Sequence, residues 1–143
     1  MNVDAILRSK GNKVETIRPG TSVADAVALL KARRIGALVV SEDGTHVDGI
    51  LSERDIVHAL AGRGAGALEA KVGDLMTHRV VTCAPEDSIE ELMNRMTEGR
   101  FRHMPVTRDG KLCGIVSIGD VVKNRLEEVE YEASSLKSFI TSA

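Results

Sequence analysis

The chain repeats itself. Pro19, Ser22, Val23, Arg34, Val40, Asp43 and Gly44 align with Pro85, Ser88, Ile89, Arg100, Val106, Asp109 and Gly110 at a constant offset of 66 positions. The offset falls to 65 where Gly49, Ile50, Ser52 and Asp55 match Gly114, Ile115, Ser117 and Asp120, so one surplus residue lies near Thr45. A unit of roughly 60 residues buries too little surface to be secure alone, so the two copies are expected to pack together and to leave clefts along their seam. At 143 residues there is no room for a third.

Each copy carries the same order of local signals. An extended stretch with a Thr (residues 14–18 and 80–84) leads to a Pro and a helix start, where Ser22 with Asp25 and Ser88 with Glu91 have capping-box spacing. Val23, Ala26, Val27 and Leu30, and in the second copy Ile89, Leu92, Met93 and Met96, then recur at i, i+3, i+4, i+7, which predicts a helix burying one stripe. A short strand follows (37–41, 104–107), then Asp43-Gly44 or Asp109-Gly110 as a hairpin turn, then a second strand (49–51, 114–116) that runs into Ser-x-x-Asp and another helix. Pro105 lacks an amide donor and belongs at a strand's start or edge. The fold class is therefore α/β (α+β), with two copies of strand-helix-strand-strand-helix. The division is residues 1–64 for the first, 65–125 for the second and 126–143 for a C-terminal helical extension. Residues 62–66 form a Gly/Ala-rich connection. Residues 3–7 and 72–76 resemble each other at an offset of 69, as short helical lead-ins preceding each copy.

From Asp120 onward there is neither Gly nor Pro, and Val122, Leu126, Val129, Ala133, Leu136 and Ile140 alternate steps of four and three. That is a heptad seam. A helix of this length reaches roughly 36 Å, enough to leave its own domain and meet a partner; the alternative is a helix folded back on its own body.

Composition removes several function classes. The only aromatic residues are Phe101, Tyr131 and Phe139, too few for a single-strand nucleic-acid stacking platform. Nineteen basic against 21 acidic residues give no basic face for duplex phosphate, so nucleic acid is not an expected partner. The N-terminus shows no secretory signal, and the longest apolar stretch (35–40) is far short of the roughly 20 residues of a membrane helix, so the expectation is a cytoplasmic protein. Cys83 and Cys113 make no metal-ligand spacing with the four histidines and read as buried thiols in a reducing compartment.

The most informative motif is Gly-Ile-Leu-Ser-Glu-Arg-Asp at 49–55 and Gly-Ile-Val-Ser-Ile-Gly-Asp at 114–120. Ser52 and Ser117 are natural helix caps, and Asp55 and Asp120 suit the helix dipole. The same arrangement offers amides and a hydroxyl to a phosphate, and a carboxylate to ribose hydroxyls. Arg100-Phe101-Arg102-His103-Met104-Pro105-Val106 brings basic side chains to a strand beside the seam, either as solvated charges at a helix end or as phosphate ligands.

These residues carry a resemblance. The doubled unit, with Arg-His-Met-Pro-Val and Gly-Ile-Val-Ser-x-x-Asp in place, resembles a tandem pair of CBS domains, the Bateman module, of the stand-alone bacterial type; it covers residues 3–125. The resemblance implies two repeats packed through their sheets about a pseudo-two-fold axis. It also implies clefts for adenosine-containing ligands such as AMP, ADP, ATP, NAD-type dinucleotides or S-adenosylmethionine. Carried onto this chain, Asp120 would hold ribose, Ser117, Arg102 and His103 would meet phosphate, Thr82 and Ala84 would line adenine, and Met104 and Pro105 would form an apolar wall. The first-copy counterparts are Asp55, Ser52, Thr16, Ala37 and Leu38. There the positions of Arg102 and His103 hold Gly36 and Ala37, which weakens phosphate binding, while Arg54 offers a substitute charge; two unequal sites are expected. With no aromatic ring nearby, adenine would rest on aliphatic packing and backbone bonds.

The function this implies is a regulatory module sensing adenine nucleotides, without a catalytic residue or a required cofactor, most simply a homodimer with an unidentified protein target. Two alternatives stand beside it. One is a ligand-free dimerisation or scaffold module, argued by the Gly36-Ala37 departure. The other is a hydrolase, for which Ser117, His103 and Asp120 supply residue types but not a workable triad spacing, and for which no G-x-S-x-G elbow is present.

Overall fold

The computed structural model describes residues 1–142. In the first copy, β1 (Thr16–Ile17) leads into α2 (Val23–Arg33), β2 (Ala37–Val40), β3 (Gly49–Ser52) and α3 (Glu53–Arg63), preceded by α1 (Val3–Lys10). After a 3-10 segment (Gly64–Glu69) come α4 (Val72–Leu75), α5 (Ile89–Gly99), β4 (His103–Arg108), β5 (Lys111–Ser117) and α6 (Ile118–Ser142). The first sheet has the order β1-β2-β3, with β1 parallel and β3 antiparallel to β2; the second is the β4-β5 hairpin.

Helix starts follow the local chemistry. Ser22 Oγ accepts from the Asp25 amide at 3.1 Å and Ser88 Oγ from the Glu91 amide at 3.1 Å. The expected reciprocal arm is missing at both Ser22 and Ser88; at Ser88 the Glu91 carboxylate pairs with Arg95 instead, at 2.5 Å. Reciprocal boxes form in the Gly-Ile-x-Ser-x-x-Asp motif. Ser52 Oγ accepts from Asp55 N while Asp55 Oδ2 accepts from Ser52 N at 2.9 Å, and Ser117 and Asp120 make the same pair of bonds.

The two copies diverge in their sheets. The strand expected at 80–84 contracts to a single bridge between Cys83 and Val106, held by Cys83 N to Pro105 O at 3.0 Å and Thr107 N to Cys83 O at 2.8 Å. Pro105 has no N–H to extend that ladder toward Val81, so it stops there. The turns differ too. Asp109 and Gly110 both have positive φ, 53° and 76°, and close a two-residue hairpin. Around Asp43-Gly44 the loop is wider, and the Asp43 carboxylate accepts the Thr45 and His46 amides, each at 2.8 Å. The surplus residue of the first copy is absorbed in this loop.

Packing of the lead-in helices departs from their order in the chain. Val3, Ile6 and Leu7 of α1 are buried not in the first copy but among Cys83, Ile89, Leu92, Met96, Met104, Val106, Val116 and Val121. Val72 of α4 is buried in the first copy with Val23, Ala26, Leu30, Leu38, Val40, Leu51 and Ile56. Backbone bonds pin both crossings: Val3 N to Asp87 O and Asp4 N to Pro85 O at 2.9 Å, and Val72 N to Thr21 O at 2.8 Å. The glycine that opens both Gly-Ile-x-Ser-x-x-Asp runs has a packing role. A Cβ on Gly114 would fall 2.6 Å from Leu7 Cδ2, and one on Gly49 would fall 2.5 Å from Met76 Sδ. Leu7 and Met76 correspond under the 69-residue offset, so the exchange obeys the same pseudo-symmetry as the repeat.

α6 is one helix of 25 residues. Val121 is fully buried and Asn124, Arg125 and Glu128 are half-buried, but residues 129–141 are all exposed. The helix leaves the body instead of folding back onto it. Cys83 is buried, and burial pushes its thiol up to about 12; Cys113 is only half-buried, contrary to the expectation that both are buried.

Candidate functional site

A cleft of about 490 Å³ opens at the seam. From the first copy it is lined by Gly36 at the entry to β2, Ile50 and Ser52 of β3, and Glu53, Arg54 and Asp55 in the first turn of α3. From the second it takes Thr77, Arg79, Val80 and Val81 and the run Gly99 to His103. Arg100 ends α5 in the left-handed conformation, φ 55°, as Arg34 does at the matching position of the first copy. That reversal turns Phe101, Arg102 and His103 from the helix axis toward the seam.

The acid of the cleft is Asp55. Its Oδ2 accepts from the amide and hydroxyl of Ser52 at 2.9 and 3.1 Å, and its Oδ1 accepts from Thr77 Oγ1 at 3.1 Å. A carboxylate oxygen accepts more than one donor, so Oδ1 can also receive a ligand hydroxyl. Opposite stand cations. Arg54 donates to the Arg100 carbonyl at 2.7 Å, which ties the two copies across the opening, and Arg79, Arg100 and Arg102 complete the basic rim. His103 is half-buried against Gly36, where an added Cβ would come within 3.2 Å of the imidazole. Burial lowers its pKa, partly opposed by the Glu53 carboxylate, so the ring is neutral near pH 7.

The structure groups the sequence candidates differently from the resemblance. Ser52, Arg54 and Asp55 do line the cleft, and Arg102 and His103 join them rather than Asp120. Ser117 and Asp120 lie outside this cleft. Asp120 Oδ2 is taken by Lys10 Nζ at 2.6 Å, and the same ammonium donates to the Ile115 carbonyl at 3.1 Å. Burial raises the Asp120 pKa, but the Lys10 ammonium and the Ser117 bonds outweigh it and hold the carboxyl below its ordinary value. Lys10 reaches this point because α1 has crossed to the second copy.

The remaining candidates also fall outside the cleft lining. Leu38 and Met104 are fully buried in the two cores, and Ala37 and Pro105 are buried in their strands. Thr16, Thr82 and Ala84 are half-buried; Val80 and Val81 line the cleft where Thr82 was expected. The expectation of a ring-free cleft is corrected by Phe101, which lines it. Phe101 and Arg100 stood in the basic run already noted. Thr77 and Arg79 had no counterpart signal in the repeat, because their place follows from the crossing of α4. Among the described residues no cluster of His, Cys, Asp and Glu is placed to hold a metal ion, and no helix is long and apolar enough to cross a membrane.

Two like half-domains with exchanged lead-in helices, and a cleft that draws one acid from the first and a basic strand entry from the second, define a tandem-repeat α/β module. The family model of the CBS domain matches residues 5–62 and 72–127, and the chain belongs to the CBS-domain family as a tandem pair. It is similar to the crystal structure of the CBS-domain containing protein ATU1752 from Agrobacterium tumefaciens, with 46% identity and a TM-score of 0.85 over 87% of this chain and 99% of that one. The mitochondrial CBS domain-containing protein CBSX3 of Arabidopsis thaliana is 34% identical over 146 residues, 96% of this chain and 71% of that protein. A crystal structure of CBSX2 in complex with AMP is 29% identical with a TM-score of 0.73, covering 88% of this chain and 96% of that one.

Proposed function

We propose that the chain is a non-catalytic regulatory module that binds an adenine nucleotide, AMP or a larger relative, in the Asp55 cleft. The observation that carries this reading is the meeting of one carboxylate with a spare acceptor oxygen and an arginine-rich rim in a single cavity of about 490 Å³. Asp55 accepts the ribose hydroxyls. Arg79, Arg100 and Arg102 receive phosphate oxygens by charge-assisted bonds. Val80, Val81 and Phe101 supply the apolar surface for the purine. The relative CBSX2, solved in complex with AMP, supports the ligand class.

The Asp120 position does not act as an equal second site, because Lys10 already neutralises its carboxylate. One nucleotide per chain is the expected stoichiometry. The free thiols of Cys83 and Cys113 suit a reducing compartment, and the cytoplasm is the proposed location.

Isothermal titration of the purified chain with AMP, ATP, NAD and S-adenosylmethionine tests the reading. Saturable binding of one or more of them near one equivalent supports it. Absence of heat and of any thermal stabilisation with all four would leave the scaffold reading in its place.

A further inference from the structure

The six residues of the heptad seam remain uncovered on α6. Val122 is 39% exposed, Leu126 58%, Val129 44%, Leu136 61% and Ile140 65%, and Ala133 is exposed between them. The residues that hold the helix to the body, Val121, Asn124 and Glu128, fall on a different stripe. A continuous apolar row on a projecting helix is a surface built for a partner. The seam sets Leu126, Ala133 and Ile140 at a and Val122, Val129 and Leu136 at d, which places Lys123, Glu130 and Lys137 at e and Arg125 and Glu132 at g.

Those flanking charges identify the partner. In a parallel, in-register pair the g residue of one helix meets the e residue five positions later on the other. Here that brings Arg125 to Glu130 and Glu132 to Lys137, each pair of opposite sign and each formed twice by symmetry. Arg125 reaches Glu128 of its own helix through one guanidinium nitrogen and keeps further donors. In the antiparallel arrangement e faces e and g faces g, which opposes Glu130 to Glu130, Glu132 to Glu132 and Lys123 to Lys137. All three contacts are repulsive.

We propose that α6 pairs with α6 of a second copy of this chain as a parallel, in-register coiled coil over residues 122–140, setting the two bodies side by side at its N-terminal end. The pairing is independent of the nucleotide reading and survives its failure.

Sedimentation equilibrium and native mass spectrometry of the full chain are expected to show a dimer. Leu136→Cys is expected to form a disulfide-linked dimer on mild oxidation, since residue 136 meets its own copy only in the parallel register. Tyr131→Cys, on the outer face, and the unaltered chain with its own two thiols are expected not to. Glu132→Lys should raise the dimer dissociation constant about tenfold, because two exposed pairs turn from attractive to repulsive, and Glu132→Lys with Lys137→Glu should restore it. All these positions are exposed, so circular dichroism and the melting of the body serve as folding controls. A monomer at every concentration, no cross-link through residue 136, or a dimer indifferent to Glu132→Lys would each overturn the proposal.

Discussion

Lys10 Nζ lies 2.6 Å from Asp120 Oδ2, joining the last turn of α1 to the first turn of α6 across 110 residues of sequence. The contact exists because α1 leaves its own copy for the core of the other. It decides which of two near-identical acids faces an open cleft.

Removing the ammonium is therefore expected to have two effects. Lys10→Met should lower unfolding free energy by about 1 kcal/mol, a small value because Lys10 is 35% exposed and the pair is screened. It should also release Asp120, and titration should show AMP stoichiometry moving from one toward two per chain. Unchanged stoichiometry would mean that Lys10 does not occlude a second site.

The two acids should behave oppositely in binding. Asp55→Ala is expected to weaken AMP about tenfold or more, the loss of one hydrogen bond to a charged group at roughly 1.5 to 3 kcal/mol. Asp120→Ala should change affinity less than threefold, about 0.6 kcal/mol. Calorimetry on both variants checks the order; the reverse order would return the site to Asp120.

The exchanged lead-ins should be sensitive at the glycines they cover. Gly114→Ala forces a methyl to 2.6 Å from Leu7, and overpacking of this kind costs about 1 to 3 kcal/mol in urea denaturation. Leu7→Ala alone should cost about 2 to 4 kcal/mol through the cavity it leaves. The double variant should be more stable than the sum of the two losses implies, since the shortened side chain admits the methyl.

Acid should weaken the fold through His103. Its folded pKa is lowered by burial, so between that value and the ordinary one near 6.5 the unfolded chain binds more protons. This contribution is complete above about pH 6.5 and is lost as pH falls toward the folded pKa, at no more than about 1.4 kcal/mol per pH unit for one proton. The facing charges, Glu53, Lys10, Asp120 and Arg102, partly offset one another. Denaturation at pH 7.5 and 5.5 should show a smaller loss for His103→Gln than for the parent chain.

Much of the fold was legible because it is written in short-range signals. The Ser caps at 22, 52, 88 and 117, the amphipathic stripes of α2 and α5 and the Asp109-Gly110 turn depend on neighbours within a few residues, and all are found where the spacing predicts them. Residues 80–84 read locally as a strand but contract to one bridge, because the missing donor of Pro105 acts from another segment. Phe101 was visible in the sequence, but its entry into the cleft depends on the left-handed Arg100 that precedes it.

By itself the sequence determined the doubling, the element order, the family resemblance and the set of acids and cations from which a site is drawn. Only the tertiary structure decided that α1 and α4 change places, that Arg102 and His103 face Asp55, and that Asp120 is neutralised. Apolar burial is close to indifferent to which copy supplies a matching helix, since Val3 to Leu7 and Val72 to Met76 present similar surfaces to similar grooves. The exchange is pinned instead by backbone bonds between segments far apart in the chain, Val3 N to Asp87 O, Asp4 N to Pro85 O and Val72 N to Thr21 O, which exist only in the assembled core and in no local stretch.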